Sequence, residues 1–189
     1  MIAPVSAIEA GSAIAPVAVF AIGNRSRGDD AVAPLLLDRL RHWLDAEGLA
    51  AGFELVEEYQ LQVENAFDLE GRRMALFIDA VGDAPGPVAF APVAIGGERS
   101  AHASHALEPA AVLRVYGQVV GEAPPPSYVV GVRGSCFDLG ADPSGEARAA
   151  MEEAWELLRV LCRSPDLAEW QTMATVARAP RAISDTVAT

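Results

Sequence analysis

The chain has 189 residues, of which 51% are apolar, so it is long enough for one α/β domain with a full core and is not globally disordered. Its 26 acidic and 14 basic residues give a formal net charge of −12, and every basic residue is an arginine. Such an acidic chain lacks the basic surface that nonspecific nucleic-acid binding requires. Cys136 and Cys162 show no zinc-binding spacing and predict no disulfide scaffold, which is typical of a reducing compartment.

The first fifteen residues predict no regular element. They contain Pro4 and Glu9 and no basic stretch, so they do not resemble a signal peptide. Their apolar run is also much shorter than the ~20 residues that span a bilayer. We therefore expect an N-terminal extension over residues 1–15 and a cytoplasmic protein with neither a membrane nor nucleic acid as its partner.

Residues 16–40 predict a strand, a loop and the start of a helix. Residues 17–22 are apolar throughout, which is typical of a strand buried on both faces. Gly23-Asn24 ends this strand, and the acidic pair Asp29-Asp30 precedes an amphipathic helix expected at about residues 30–45. The loop has neither a dinucleotide-binding nor a P-loop pattern, and two carboxylates favour a cation over a phosphate. A single Asp at this point would be explained as a helix cap, whereas two allow one to cap and one to bind.

The rest of the chain completes an α/β pattern. Further strands are expected at residues 52–56, 74–78, 87–94 and 128–132, helices at 104–116 and 144–162, and a helical spacing over 61–69. The DAPG connection before the fourth strand is too short for a crossover helix, so this strand should run antiparallel to its predecessor. We predict a three-layer α/β/α domain over residues 16–163, with a five-stranded, mostly parallel sheet. Residues 164–189 are expected to form a tail that is disordered or a loosely docked helix.

Three polar residues are expected at one edge of this sheet. Asp30 follows the first strand, Asp79 ends the third, and His105 opens the helix after the fourth. The carboxyl ends of adjacent parallel strands lie about 5 Å apart at the edge where α/β proteins bind ligands. Two carboxylates and an imidazole suit a borderline divalent ion such as nickel or zinc. Each residue also has a simpler explanation as a cap, a turn starter or a helix start, so the spacing alone leaves the site open.

Four sequence blocks together resemble the hydrogenase maturation endopeptidases, which process the large subunit of nickel–iron hydrogenases. The blocks are IGNRSRGDDAVAPLLLDRL, LFIDAVGDAPGPV, SHALEPAAVL and VVGVRGSCFDLG, and the resemblance covers about residues 17–161. It implies that Asp30, Asp79 and His105, and not His102, bind nickel. Ala21 stands where the family pattern G-x-G-N has its first glycine.

The resemblance also implies an activity. Members of this family remove a C-terminal peptide from the nickel-loaded large-subunit precursor, so the expected partner is that precursor and the nickel is supplied by the substrate. Other divalent cations are expected to bind in vitro. Asp30 and Asp79 are then also the catalytic candidates of an aspartic-type peptidase, as possible proton acceptors, and the group that activates water stays open.

The segment after the second strand departs from the family pattern. Many members carry a D-G-G-T type segment there, and this chain has Tyr59-Gln60-Leu61-Gln62, which leaves the class of hydrogenase open. Asn24, Gln60 and Gln62 are expected to contact the substrate. The simpler role of the two glutamines is to start a helix.

Two other functions stay open. A metal-binding checkpoint or chaperone would bind the nickel-loaded precursor without cutting it. An α/β metallohydrolase would carry its own metal and cut simple peptides. Neither a G-x-S-x-G nor an H-E-x-x-H motif is present to indicate a standard hydrolase.

Overall fold

The computed structural model of the protein describes residues 14–82, 84, 86–95 and 107–178. Within these residues it has five strands and four α-helices. The strands are β1 (Val17–Ile22), β2 (Phe53–Glu58), β3 (Met74–Val81), β4 (Val88–Pro92) and β5 (Ser127–Arg133). The helices are α1 (Val32–Ala46), α2 (Pro109–Val119), α3 (Gly145–Arg163) and α4 (Leu167–Arg178). None of these helices is both long enough and apolar enough to cross a membrane.

The strands form one sheet in the order β2-β1-β3-β5-β4. β1, β2, β3 and β5 are parallel, and β4 is antiparallel to β5. This confirms the predicted five-stranded, mostly parallel sheet with an antiparallel fourth strand. β4 pairs with β5 rather than with β3, so the short connection after β3 passes the end of β5.

Apolar side chains cover both faces of the sheet and define three layers. Alternate β3 residues point to opposite sides, so Leu76 and Ile78 join the cluster with α1, α3 and α4, whereas Phe77 joins the cluster with α2. Phe77 stacks on Phe20 of β1 with ring centroids 4.8 Å apart. Burial of each such side chain contributes roughly 1.5–3 kcal/mol to folding. The predicted α/β/α architecture is therefore confirmed.

The segment after Pro165 is not disordered: it forms α4, which packs on the sheet through Trp170 and Ala174, whereas the rest of the expected tail, residues 179–189, lies outside the described part. Trp170 of α4 is 1% exposed, and its ring lies edge-on to Tyr128 and Phe90 at centroid distances of 5.4 and 6.3 Å. Its indole N–H donates to the carbonyl of Leu161 at 3.2 Å. The predicted N-terminal extension falls almost entirely on residues 1–13, which lie outside the described part.

The start of α2 also differs from the prediction. The helix begins at Pro109, because a residue that precedes proline avoids the helical region and Glu108 is extended at φ −79° and ψ 154°. Leu107 instead forms an antiparallel bridge with Leu61. The predicted start of this helix at residue 104 or 105 is therefore wrong, and His105 itself lies outside the described residues.

Candidate functional site

Asp30 lies at the carboxyl edge of the sheet, in a 3-10 turn over Gly28–Ala31 that connects β1 to α1. It is half-buried, and its Oδ2 accepts the backbone N–H of Asn24 at 3.0 Å. Gly23 has φ +149°, and a Cβ there would overlap the carbonyl oxygen of Asp30. Glycine at position 23 is therefore needed for the close approach that sets the position of Asp30.

Asp79 lies in β3 and not at its end, because β3 continues to Val81. This corrects the predicted strand end. Asp79 is in register with Gly131 of β5 and shares the α2 side of the sheet with Phe77. Burial raises the pKa of Asp79 to about 7, although the backbone N–H of Ala80 lowers it, and the negative charge of Asp30 raises it further. The two carboxylates therefore lie close enough for their charges to interact.

The third predicted ligand, His105, lies outside the described residues, as does His102. Residues 14–82, 84, 86–95 and 107–178 contain no cluster of three or more histidine, cysteine, aspartate or glutamate side chains that could hold a metal. The described part of the site therefore consists of Asp30 and Asp79. Their assignment as metal ligands with His105 stays a prediction.

Asp29, next to Asp30, has a different role. Its side chain is fully buried, and its Oδ2 accepts the N–H groups of Ser135 and Cys136 at 2.7 and 2.9 Å. Ser144 donates through its N–H to Oδ1 of Asp29 at 2.6 Å and through its hydroxyl to Oδ2 at 3.0 Å. Burial raises the pKa of Asp29, but these four hydrogen bonds outweigh burial and hold the pKa below its ordinary value.

Neither acid caps α1, whose N-cap is Ala31 without a side-chain hydrogen bond. The helix-cap explanation of the acidic pair is therefore not what the structure shows. Asp29 instead binds the segment before α3, which sequence reasoning missed because Ser135 and Ser144 lie more than a hundred positions away.

Two of the three predicted substrate contacts make hydrogen bonds within the chain. Asn24 donates through Nδ2 to the hydroxyl of Tyr59 at 3.1 Å and accepts the N–H of Ser26 at 2.9 Å through Oδ1. Gln62 forms a capping box with Asn65 at the start of the 3-10 helix Val63–Leu69. The simpler role as a helix start therefore applies to Gln62, whereas Gln60 is exposed at the surface.

Arg25 is a further residue that sequence reasoning missed. Its guanidinium binds Asp38 of α1 at 2.7 Å and Glu57 of β2 at 2.6 Å. The hydrogen bonds to Arg25 hold the pKa values of both carboxyls below their ordinary range, although burial opposes the shift. This ion-pair cluster ties the loop after β1 to α1 and β2.

Known structures share this arrangement of strands and helices. The NiFe hydrogenase maturation protease HycI from Thermococcus kodakarensis superposes with a TM-score of 0.61 at 19% identity, covering 79% of this chain and 94% of that one. The hydrogenase maturating endopeptidase HybD from Escherichia coli gives 0.61 at 21% identity, covering 78% and 91%. The chain has the hydrogenase maturation protease fold.

A third structure, the NiFe hydrogenase maturation protease HybD from Thermococcus kodakarensis, gives a TM-score of 0.54 at 23% identity and covers 77% of this chain and 98% of that one. No protein-family model and no curated protein matches this chain. At these identities the similarity shows the maturation protease fold alone.

Proposed function

We propose that the protein is an endopeptidase that removes a C-terminal peptide from the nickel-loaded precursor of a nickel–iron hydrogenase large subunit. The observation that carries the proposal is the pair Asp30 and Asp79, which lies at the carboxyl edge of a sheet with the maturation protease fold. The solved neighbours are themselves described as hydrogenase maturation proteases and endopeptidases.

The electrostatics of the pair suit a divalent cation. Two carboxylates in a partly buried position repel each other, and this repulsion contributes to the raised pKa of Asp79. A divalent ion removes the repulsion, and carboxylate oxygens with an imidazole such as that of His105 are suitable ligands for nickel. Because the nickel arrives with the precursor, these residues would hold only a substrate that is already loaded, which gives the discrimination.

The same two residues are suited to different steps. Asp30 is oriented by the N–H of Asn24, so its carboxylate is held ready to bind. Asp79, with a pKa of about 7, can accept a proton near neutral pH, as a general base must. Nickel, when bound, supplies Lewis-acid polarisation of the peptide group.

The decisive experiment compares nickel-loaded and nickel-free large-subunit precursors. Purified protein is incubated with each, and the mass of the large subunit is measured. We expect shortening of the loaded precursor alone, and no shortening by Asp30→Asn or Asp79→Asn.

Two results would contradict the proposal. Binding of the loaded precursor without shortening would indicate a checkpoint or chaperone without catalytic activity. Cleavage of unrelated peptides after addition of metal, regardless of precursor, would indicate a metallohydrolase with its own metal. The variant His42→Ala is a suitable control, because His42 is exposed on α1 and its ring nitrogen makes a hydrogen bond only to the carbonyl of Asp38 among the described residues.

A further inference from the structure

The loop before α1 and the loop before α3 are joined into one unit. We define loop 23–31 as the connection from β1 to α1 and loop 134–144 as the connection from β5 to α3. Three hydrogen bonds join their backbones: the N–H groups of Gly140, Gly28 and Asp29 donate to the carbonyls of Ser26, Ala141 and Cys136 at 2.7, 3.0 and 2.7 Å, respectively. A fourth runs from Nε of Arg27 to the carbonyl of Phe137 at 2.8 Å. The two loops therefore have a fixed relative position.

The carboxylate of Asp29 is the centre of this unit. Both of its oxygens are used, Oδ1 by the N–H of Ser144 and Oδ2 by the N–H groups of Ser135 and Cys136 and the hydroxyl of Ser144. A buried charge is tolerated only when it is hydrogen-bonded in this way. Because Asp29 is fully buried, it cannot contact a substrate.

The packing around Asp29 leaves little room for movement. A Cβ at Gly28 would overlap the carbonyl oxygen of Cys136, and a Cβ at Gly134 would lie 2.9 Å from both the Cβ of Asp29 and the ring of Phe137. Gly28 also has φ +55°, a conformation that favours glycine. Both loops thus approach each other at positions where no side chain fits.

We propose that Asp29 is a positioning residue for Asp30. The two residues are consecutive in the same 3-10 turn, where successive side chains point about 120° apart. Asp29 points into the protein and binds loop 134–144, and this bond fixes the turn that carries Asp30 at the carboxyl edge. The catalytic consequence rests on the proposed function of Asp30, whereas the effect on the position of Asp30 does not.

The test uses Asp29→Asn, which keeps the size of the side chain but removes the charge and turns an amide NH₂ toward N–H donors. Hydrogen exchange of the Asn24 amide, which binds Asp30, reports the position of Asp30 independently of activity. We expect this amide to exchange at least about tenfold faster, and kcat for the loaded precursor to fall at least about tenfold while KM changes by less than about threefold.

A matched control separates positioning from a general loss of stability. Trp170 packs on Tyr128 near the start of β5, whereas loop 134–144 follows the end of β5. Trp170→Phe removes the indole hydrogen bond to the carbonyl of Leu161 and should lower thermal stability without changing either loop. We expect it to leave the Asn24 exchange rate and kcat within about threefold of wild type, because distant sites act independently. Equal effects of Asp29→Asn and Trp170→Phe at matched stability would overturn the proposal.

A milder variant keeps the test decisive if Asp29→Asn does not fold. Ser144 is the N-cap of α3, a position that also accepts glycine well. Ser144→Gly removes the hydroxyl that binds Asp29 and should increase Asn24 exchange in the same direction but by less. If wild-type protein does not cut the precursor at all, the proposed function fails, and the Asn24 exchange rates still decide whether Asp29 positions Asp30. An unchanged rate in Asp29→Asn or, where that variant does not fold, in Ser144→Gly would overturn it.

Discussion

At the scale of single residues, the partly buried carboxylate of Asp79 destabilises the fold when it is ionised. Its pKa is about 7 in the folded protein and near 3.8 in an unfolded chain. The folded state therefore binds the proton more tightly, and the contribution of Asp79 to stability falls as the pH rises from about 4 to 7. A group with such a shifted pKa at a sheet edge is typical of a functional site.

Asp79→Asn should therefore stabilise the metal-free protein at pH 8. We expect the midpoint of thermal unfolding to rise by at least about 3 °C, since a domain of this size gains about 2–4 °C for each kcal/mol of added stability. At pH 4 the gain should nearly vanish, because the native carboxyl is then already protonated. Asp45→Asn, an exposed substitution on α1, is the control, and an equal gain at both pH values would contradict the explanation.

His105 and His102 can be distinguished by parallel variants. His105→Ala should abolish shortening of the loaded precursor and leave folding nearly unchanged, because the role predicted for His105 is to bind nickel and not to pack in the core. His102→Ala should retain normal activity. Normal trimming by His105→Ala, measured by mass spectrometry, would show that the nickel-binding set is misassigned.

The acidic pair shows where sequence reasoning ends at this scale. The pattern Asp29-Asp30 suggested one helix cap and one binding residue; neither acid caps α1, and the pattern could not show which carboxylate is buried. That choice depends on the N–H groups of Ser135 and Ser144, which only the folded chain brings to Asp29. For Gln62 the deciding contact is local, because its capping partner Asn65 lies only three positions along the chain.

At the scale of elements, the strength of the local pattern decided what could be predicted. β1 is apolar at every position and α3 has a long apolar stripe, and both were predicted within one or two residues. α4 was not predicted as part of the domain, because it docks through few apolar residues in an Ala/Thr-rich segment: Trp170, Ala174, Leu167 and Met173. The late start of α2 had a local signal in Pro109, which outweighs the helical spacing before it.

Removal of the Trp170 side chain should show that α4 belongs to the core. We expect Trp170→Ala to lower the free energy of unfolding by about 3–5 kcal/mol, as truncation of a buried aromatic residue does. Urea denaturation measures this loss. Thr172→Ala on the exposed side of α4 is the control and should change stability by less than about 1 kcal/mol, whereas a loss that small for Trp170→Ala would mean that α4 docks only weakly.

At the scale of the whole molecule, with its formal charge of −12, two opposite trends govern how the stability of the fold depends on pH. Repulsion among carboxylates and the raised pKa of Asp79 favour a mildly acidic pH. Asp29, Asp38 and Glu57 have lowered pKa values, so their contributions are present above the unfolded pKa of about 4 and are lost as the pH falls through the folded values. We therefore expect greatest stability near pH 5.

Arg25→Gln tests the acid side of this profile, because Arg25 is the main cause of the lowered pKa values of Asp38 and Glu57. At pH 7 and low salt we expect a loss of about 1 kcal/mol or less, since the three side chains are 34–42% exposed and such pairs are screened by water. The loss should shrink in high salt, and it should also shrink as the pH falls through the lowered pKa values of Asp38 and Glu57, because protonated carboxyls no longer attract Arg25. Thermal unfolding across pH 3–8 measures the difference, with Arg148→Gln on the exposed face of α3 as the control. A loss that persists unchanged at pH 3 would show that Arg25 stabilises the loop by packing and not by charge.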